Sequence, residues 1–238
     1  MIQIDARLRA IAAFVPAGDV LADIGGDHAY LAAALVQEGR CPRAIVGDLS
    51  AGACLAARRT AVRHQCIDRI DVRQGDGLSV LLPGEADTVA IAGMGGALMA
   101  QILAAAPHIL CTVGTLVLQP MNAADALRRW LYENDWHIAD ETLVRASGRL
   151  YEVICARQGC AAVPDEALLL IGAKLFAKHD PLLHAHIMAH IARLTRAAEG
   201  MGRSAAARQS AAYRAAVSRL AALRTLLALS CAFKRPYA

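Results

Sequence analysis

The chain has 238 residues, room for one ordinary domain with an attachment or for two small domains, and enough to bury a core without disulfides or a structural metal. Apolar residues make up 56% and aromatics only 4%, which excludes a disordered or low-complexity chain and calls for a core of Ala, Leu, Val and Ile. The net charge of +4 is split: from Lys174 on, 11 Lys and Arg face 2 acidic residues, a balance of +9, whereas the preceding part holds 14 basic against 19 acidic side chains, a balance of −5. That split suits an acidic folded domain carrying a basic attachment for nucleic acid or membrane.

In chain order, Ile4, Leu8, Ile11 and Ala12 share one helical face over residues 3–14, and Pro16 and Gly18 stop it. Strands and helices then alternate. Asp19–Ile24 reads as a strand ending in Gly25-Gly26, followed by a helical pattern through Leu31, Leu35 and Val36. Arg43–Leu49 is a second strand, and Ser50 caps an Ala-rich helix to about Gln65. Ile70–Arg73 leads into Gly75-Asp76-Gly77, Asp87–Ala92 into Gly93-Met94-Gly95-Gly96, and Thr115–Gln119 into Pro120. A helix follows over 123–134, then two strands, His137–Val144 and Leu150–Arg157, turn at Ser147-Gly148. Repeated strand–helix units predict an α/β fold, a mostly parallel sheet with helices on both faces and an antiparallel pair at one edge.

After Asp165 the strand signals vanish. Pro181 opens a helix whose seam runs Leu183, Ile187, Ile191, Leu194, Ala198 and Met201; residues 200–202 break it, and Tyr213, Ala216, Leu220, Leu223 and Leu227 form a second seam. Two seams of period near 3.5 across a glycine turn predict a helical hairpin or coiled coil. Its outer positions carry Arg193, Arg196, Arg203, Arg208, Arg214, Arg219 and Arg224. The expected domains are therefore 1–160 and 161–238.

Seven cysteines form no CxxC pair and read as buried free thiols in a reducing compartment. Asp5, Arg7 and Arg9 interrupt any apolar leader, and no apolar run reaches the ~18 residues of a membrane span. A cytoplasmic protein, without membrane association and monomeric, is expected. His184, His186 and His190 have no carboxylate or cysteine in the adjoining turns, so no metal is expected. Trp130 and Trp136 read as packing residues.

Ligands of doubly wound sheets bind beyond the carboxyl ends of the strands. There stand Asp23 with Gly25-Gly26, then Asp48, then Asp76, then Gly93 to Gly96. Glycines admit a ligand close to the backbone. A carboxylate ending the second strand suits a ribose diol, and Asp76 suits an adenine amine. The first loop is not GxGxxG, and no GxxxxGK[ST] follows a strand, so dinucleotide and P-loop readings fail. An adenosine without phosphates remains, and an acidic residue at the first turn suits the ammonium group of S-adenosyl-L-methionine.

Several strings carry a resemblance: Arg7-Leu8-Arg9-Ala10-Ile11-Ala12, Ala22 to Leu31 (ADIGGDHAYL), Ile91-Ala92-Gly93-Met94-Gly95-Gly96, Leu118-Gln119-Pro120, Leu127-Arg128-Arg129-Trp130-Leu131 and Tyr151-Glu152-Val153. Together they resemble the bacterial tRNA (adenine(22)-N(1))-methyltransferase (TrmK) family over nearly the whole chain. The resemblance implies a Rossmann-like class I methyltransferase sheet with a C-terminal coiled-coil hairpin, and methylation of N1 of adenine 22 in tRNA. It places Asp23, Gly25, Asp48, Asp76, Gly93 and Met94 in the cofactor pocket, with Gly26, Leu49 and Gly77 beside them. Gly26 stands where the family usually has Ser, Ala32 where it has Pro, and Met121 separates the Gln-Pro pair from Asn122.

Adenine N1 already holds a lone pair, so no strong base is needed; methylation leaves a positive charge on the ring. Asp27 is the first candidate to stabilise that charge and orient the base, and His28 and Tyr30 to position it, Tyr30 by stacking. Arg7, Gln119, Asn122 and, on the hairpin, Arg193, Arg196, Arg203 and Arg208 are the candidate tRNA contacts. Blander readings stand beside these: Asp27 as the cap of the following helix, His28 as a core or cap histidine, and the hairpin arginines as a solvated face. Two rival functions remain, a methyltransferase acting on another RNA or a small molecule, and a catalytically silent RNA-binding protein.

Overall fold

The computed structural model describes residues 2–202 and 204–232, and its contacts divide the chain into two units, Met1–Val163 and Pro164–Ala238. In the first, helix α1 (Ala6–Phe14) opens on Asp5, whose carboxylate accepts from the Leu8 N–H at 2.8 Å. Then follow β1 (Leu21–Ile24), α2 (Tyr30–Gln37), β2 (Ala44–Asp48), α3 (Ala51–Arg63), β3 (Ile70–Gln74), β4 (Thr88–Met94), α4 (Gly96–Ala104), α5 (Pro107–Leu110), β5 (Thr115–Pro120), α6 (Ala124–Glu133), β6 (Trp136–Ala146) and β7 (Arg149–Gln158). Ser50 caps α3 as expected, through the Ala53 N–H.

The seven strands form one sheet in the order β3-β2-β1-β4-β5-β7-β6. The first five are parallel, and β7 runs antiparallel between β5 and β6. This is the Rossmann-like sheet with an antiparallel edge that the sequence predicts. Alternation along each strand feeds two cores. Leu21, Val46, Ala90, Val117 and Val153 face α1, α2 and α3. Ile24, Ile45, Ile91, Leu118 and Ile154 face α4 and α6, where Trp136 is buried and Trp130 packs alongside.

One polar group enters the second core. Arg128 of α6 is buried, with Nε 2.6 Å from Glu141 Oε1 and Nη2 2.5 Å from Glu152 Oε2. The geometry needs a bulge in β6: the register shifts between Ile138 and Asp140, so Glu141, not Asp140, pairs with Ile154 and faces α6. Two strings of the family resemblance, around Arg128 and around Glu152, are thereby joined.

In the second unit, α7 (Glu166–Ile171) and α8 (Ala173–Ala177) meet at Gly172, whose φ of +90° favours glycine. Next come α9 (Leu183–Met201), α10 (Ala205–Arg208) and α11 (Ala211–Ala232). The α9 helix starts at Leu183, not Pro181, because Asp180 holds a turn through the Leu182 and Leu183 N–H groups. The predicted seams meet: Ala198, Ala216 and Leu220 are buried, with Ile191, Leu194, Met201 and Tyr213 packed on them. Gly202 closes the bend against the Tyr213 ring. Arg193, Arg196, Arg208, Arg214, Arg219 and Arg224 are exposed, and Arg203 lies outside the described residues.

Among the described residues no helix is long and apolar enough to cross a membrane. Cys41, Cys54, Cys66 and Cys155 are buried, but the expectation fails for Cys111 and Cys160, which are exposed where α5 and β7 end in open turns.

Replacing Arg128 with Ala strands the buried Glu141 carboxylate and should cost ~3–5 kcal/mol in urea unfolding. A loss below ~1 kcal/mol would show that the ion network does not hold α6 to the sheet.

Candidate active site

The helices after β1 and β2 pack on one face of the sheet and the helix after β4 on the other, so a crevice opens between the carboxyl ends of β1 and β4. It is a cleft of about 300 Å³ lined by Arg7, Leu8, Asp23, Gly25 to Leu31, Ala92 and Gly93. A larger, mostly apolar cleft of about 400 Å³ lies around Leu103, Trp130, Trp136 and Gly159, at the opposite end of the sheet, where doubly wound folds do not place their ligands.

The turn after β1 is shaped by glycine. Gly25 has φ +72°, and a Cβ there would sit 2.1 Å from Met94 Cε. A Cβ on Gly26 would lie 2.7 Å from Asp23 Oδ2, so glycine here lets the loop cross the carboxylate. Gly93 has φ +79° and, on this strand end, faces the Arg7 guanidinium. The loop closes through Ala29 N–H to Gly26 O at 2.7 Å, and Ala29 takes φ +54°. Ala29 is the residue preceding α2 and no side chain caps that helix, so the reading of Asp27 as its cap is corrected.

Asp23 is 5% exposed, and burial pushes its carboxyl up to about 7; a hydrogen bond from the Ala32 backbone and the Arg7 charge pull it back down. At the mouth, Asp27 Oδ2 stands 3.3 Å from His28 Nε2, and the His28 ring stacks on Tyr30 with centroids 5.3 Å apart. All three side chains are substantially exposed, so His28 is not a core histidine.

Asp48 and Asp76 stand at the neighbouring strand ends without lining the cleft itself. Asp48 accepts from the Ser50 N–H, and Asp76 is exposed before Gly77. Leu49 is 68% exposed between them, an apolar side chain open to a flat ligand. Gln119 is fully buried and accepts from Arg7 Nη1 at 2.8 Å, while its amide donates to the Pro120 carbonyl. Asn122 lies beside Gly95 and Gly96, its carbonyl held by the Gly96 N–H. Hairpin residues Arg193, Arg196 and Arg208 belong to the second unit. One cleft-side residue went unread in the sequence: Tyr151, whose ring lies 5.8 Å from the Arg7 guanidinium. Its string was visible, but nothing in it announces a partner so distant in the chain.

Comparison with known proteins places these features. Residues 4–154 match a methyltransferase-domain family. A tRNA (adenine(22)-N(1))-methyltransferase of Bacillus subtilis is 42% identical over 158 residues, 66% of this chain and 66% of the relative. The crystal structure of the B. subtilis m1A22 tRNA methyltransferase TrmK superposes with a TM-score of 0.87 at 31% identity, covering 95% of this chain and 100% of that one. A putative tRNA (m1A22) methyltransferase of Streptococcus pneumoniae, in complex with S-adenosyl-L-methionine, gives 0.83 at 29% identity over 93% of this chain and 98% of that one. The chain therefore belongs to the methyltransferase-domain family and, within it, to the tRNA (adenine(22)-N(1))-methyltransferase family.

Proposed function

We propose that the protein transfers the methyl group of S-adenosyl-L-methionine to N1 of adenine 22 in tRNA, as a cytoplasmic enzyme. The observation that carries this reading is the glycine-walled cleft at the ends of β1 and β4, with Asp23 inside it and Asp48 and Asp76 at the next two strand ends. The residues fit the cofactor: side chains at Gly25 and Gly26 would fill the turn, and no phosphate cradle is present in that loop.

When bound, the cofactor supplies an electrophilic methyl on a sulfonium. Asp48 accepts from the ribose diol, Asp76 from the adenine amine, and Leu49 covers an adenine face. Asp23, ionised, faces the methionyl ammonium. The tRNA base enters past Tyr30, whose ring is stacked on His28 and leaves its other face for the purine. Asp27 accepts from N6–H and offsets the positive charge that moves onto the ring as the N1–C bond forms and the S–C bond breaks. His28, against Asp27, holds that carboxylate in place. N1 lies on the Watson–Crick edge, so that edge of the target must be unpaired when it enters. The hairpin arginines grip phosphates of the same tRNA.

Nucleoside analysis of tRNA incubated with enzyme and cofactor should show 1-methyladenosine, and none when adenine 22 is replaced. Asp27→Ala should lower turnover at least tenfold with cofactor affinity within twofold; normal turnover would remove its role. Arg193→Glu with Arg196→Glu should raise KM for tRNA at least tenfold and leave cofactor affinity unchanged. Methylation of the substituted tRNA, or of free nucleosides only, would overturn the substrate.

Asp23 also sets a pH dependence. With its carboxyl raised to about 7, the free protein holds that proton below neutrality, and an ammonium ligand must expel it. Affinity for S-adenosylhomocysteine should thus fall as pH drops through about 7, approaching tenfold per unit, and Asp23→Asn should flatten the profile. A flat wild-type profile by calorimetry contradicts the assignment.

A further inference from the structure

Arg7 is the one permanently cationic side chain lining the cleft. It arrives from α1 and is held from two sides. Its Nη1 donates to Gln119 Oε1 at 2.8 Å, and its guanidinium lies 5.8 Å from the Tyr151 ring centroid, within cation–π range. Strand parity explains the convergence. Asp23 alternates with Ile24, Gln119 with Leu118 and Tyr151 with Glu152, so all three side chains stand on the sheet face that α1 covers. Gln119 has no exposed surface and spends its carbonyl on Arg7, with its amide fixed on the Pro120 carbonyl. It therefore orients the arginine and offers nothing to a ligand.

Arg7 and Asp23 share the cleft and feel each other's charge, yet no ion pair joins them. A buried anion and a clamped cation kept apart in one crevice match a ligand carrying both charges, an α-amino acid. Taking the cofactor reading above as its basis, we infer that Arg7 receives the carboxylate of the methionyl end of S-adenosyl-L-methionine, opposite the ammonium at Asp23, with Gln119 and Tyr151 as positioning residues that aim it. The planar guanidinium keeps donors beyond the one given to Gln119, enough for a forked bond to a carboxylate. Arg7 thereby leaves the set of tRNA contacts and joins the cofactor site. Tyr151, far along the chain, becomes part of the same site.

The inference is tested by calorimetry with two ligands that differ at the end in question. S-adenosylhomocysteine carries the amino-acid end; 5′-methylthioadenosine keeps the adenosine and thioether and lacks it. Arg7→Gln should weaken S-adenosylhomocysteine at least tenfold and leave methylthioadenosine within twofold. Gln119→Leu and Tyr151→Leu should weaken S-adenosylhomocysteine three- to tenfold, again sparing methylthioadenosine, and Tyr151→Phe should restore it. Equal loss of both ligands in Arg7→Gln would make the residue structural. Unchanged S-adenosylhomocysteine affinity with a raised KM for tRNA would return Arg7 to the nucleic acid; either result overturns the inference. Wild-type protein that binds neither ligand would instead sink the cofactor reading on which the inference rests.

Discussion

The reversal of direction at β1 and β4 is the constraint on which the rest depends. The chain leaves β1 toward α2 on one face and leaves β4 toward α4 on the other, and neither helix closes the gap between the two strand ends. Backbone polar groups and strand-end carboxylates are thus left facing a crevice, not a packed helix. Every residue assigned a chemical role in the first unit stands on its rim or one strand away. The ladder also fixes parity. A register slip of one residue in β1 would turn Asp23 into the α4 core and Ile24 into the cleft.

Within that frame, charge is managed by separation. Asp23 is buried under the Gly26 backbone and pays a desolvation cost that raises its pKa, while Arg7 lowers it without touching it. Glycine at 26, where related sequences usually carry Ser, is consistent with this close crossing of loop over carboxylate. Arg128 shows the opposite arrangement: full pairing with two glutamates in a dry core, which fixes α6 and has no charge to offer a ligand. Its helix begins just after Asn122, whose carbonyl binds the Gly96 N–H, so the ion network and the cofactor-side turn are mechanically linked through one short segment.

All seven strands were legible because each is a short apolar run bounded by Gly, Pro or Asp, and the hairpin seams because their period persists over several turns. Helices α4, α7 and α8 were not. Gly95 precedes α4 without a side-chain cap, and Gly172 cuts α7 from α8 before a period can build. The Asp27 cap reading failed because Ala29, in a left-handed conformation, delays α2 by three residues, a backbone choice with no residue signature. The site's carboxylates and glycines could be read from their strand-end positions. The Arg7, Gln119 and Tyr151 cluster could not, since it arises only when α1, β5 and β7 meet on one face. The pairing of Arg128 with Glu141 was hidden likewise, because it needs the β6 bulge.

The central claim is that the crevice at the carboxyl ends of the strands is where the cofactor binds. Hydrogen–deuterium exchange with and without S-adenosylhomocysteine tests it directly. The account predicts slowed exchange in the turns around residues 24–31, 47–49, 75–78 and 92–96, and no change at residues 134–136 and 158–159 beside the apolar cleft at the other end of the sheet. Protection confined to that second cleft, or no protection at the turn after β1, would contradict it.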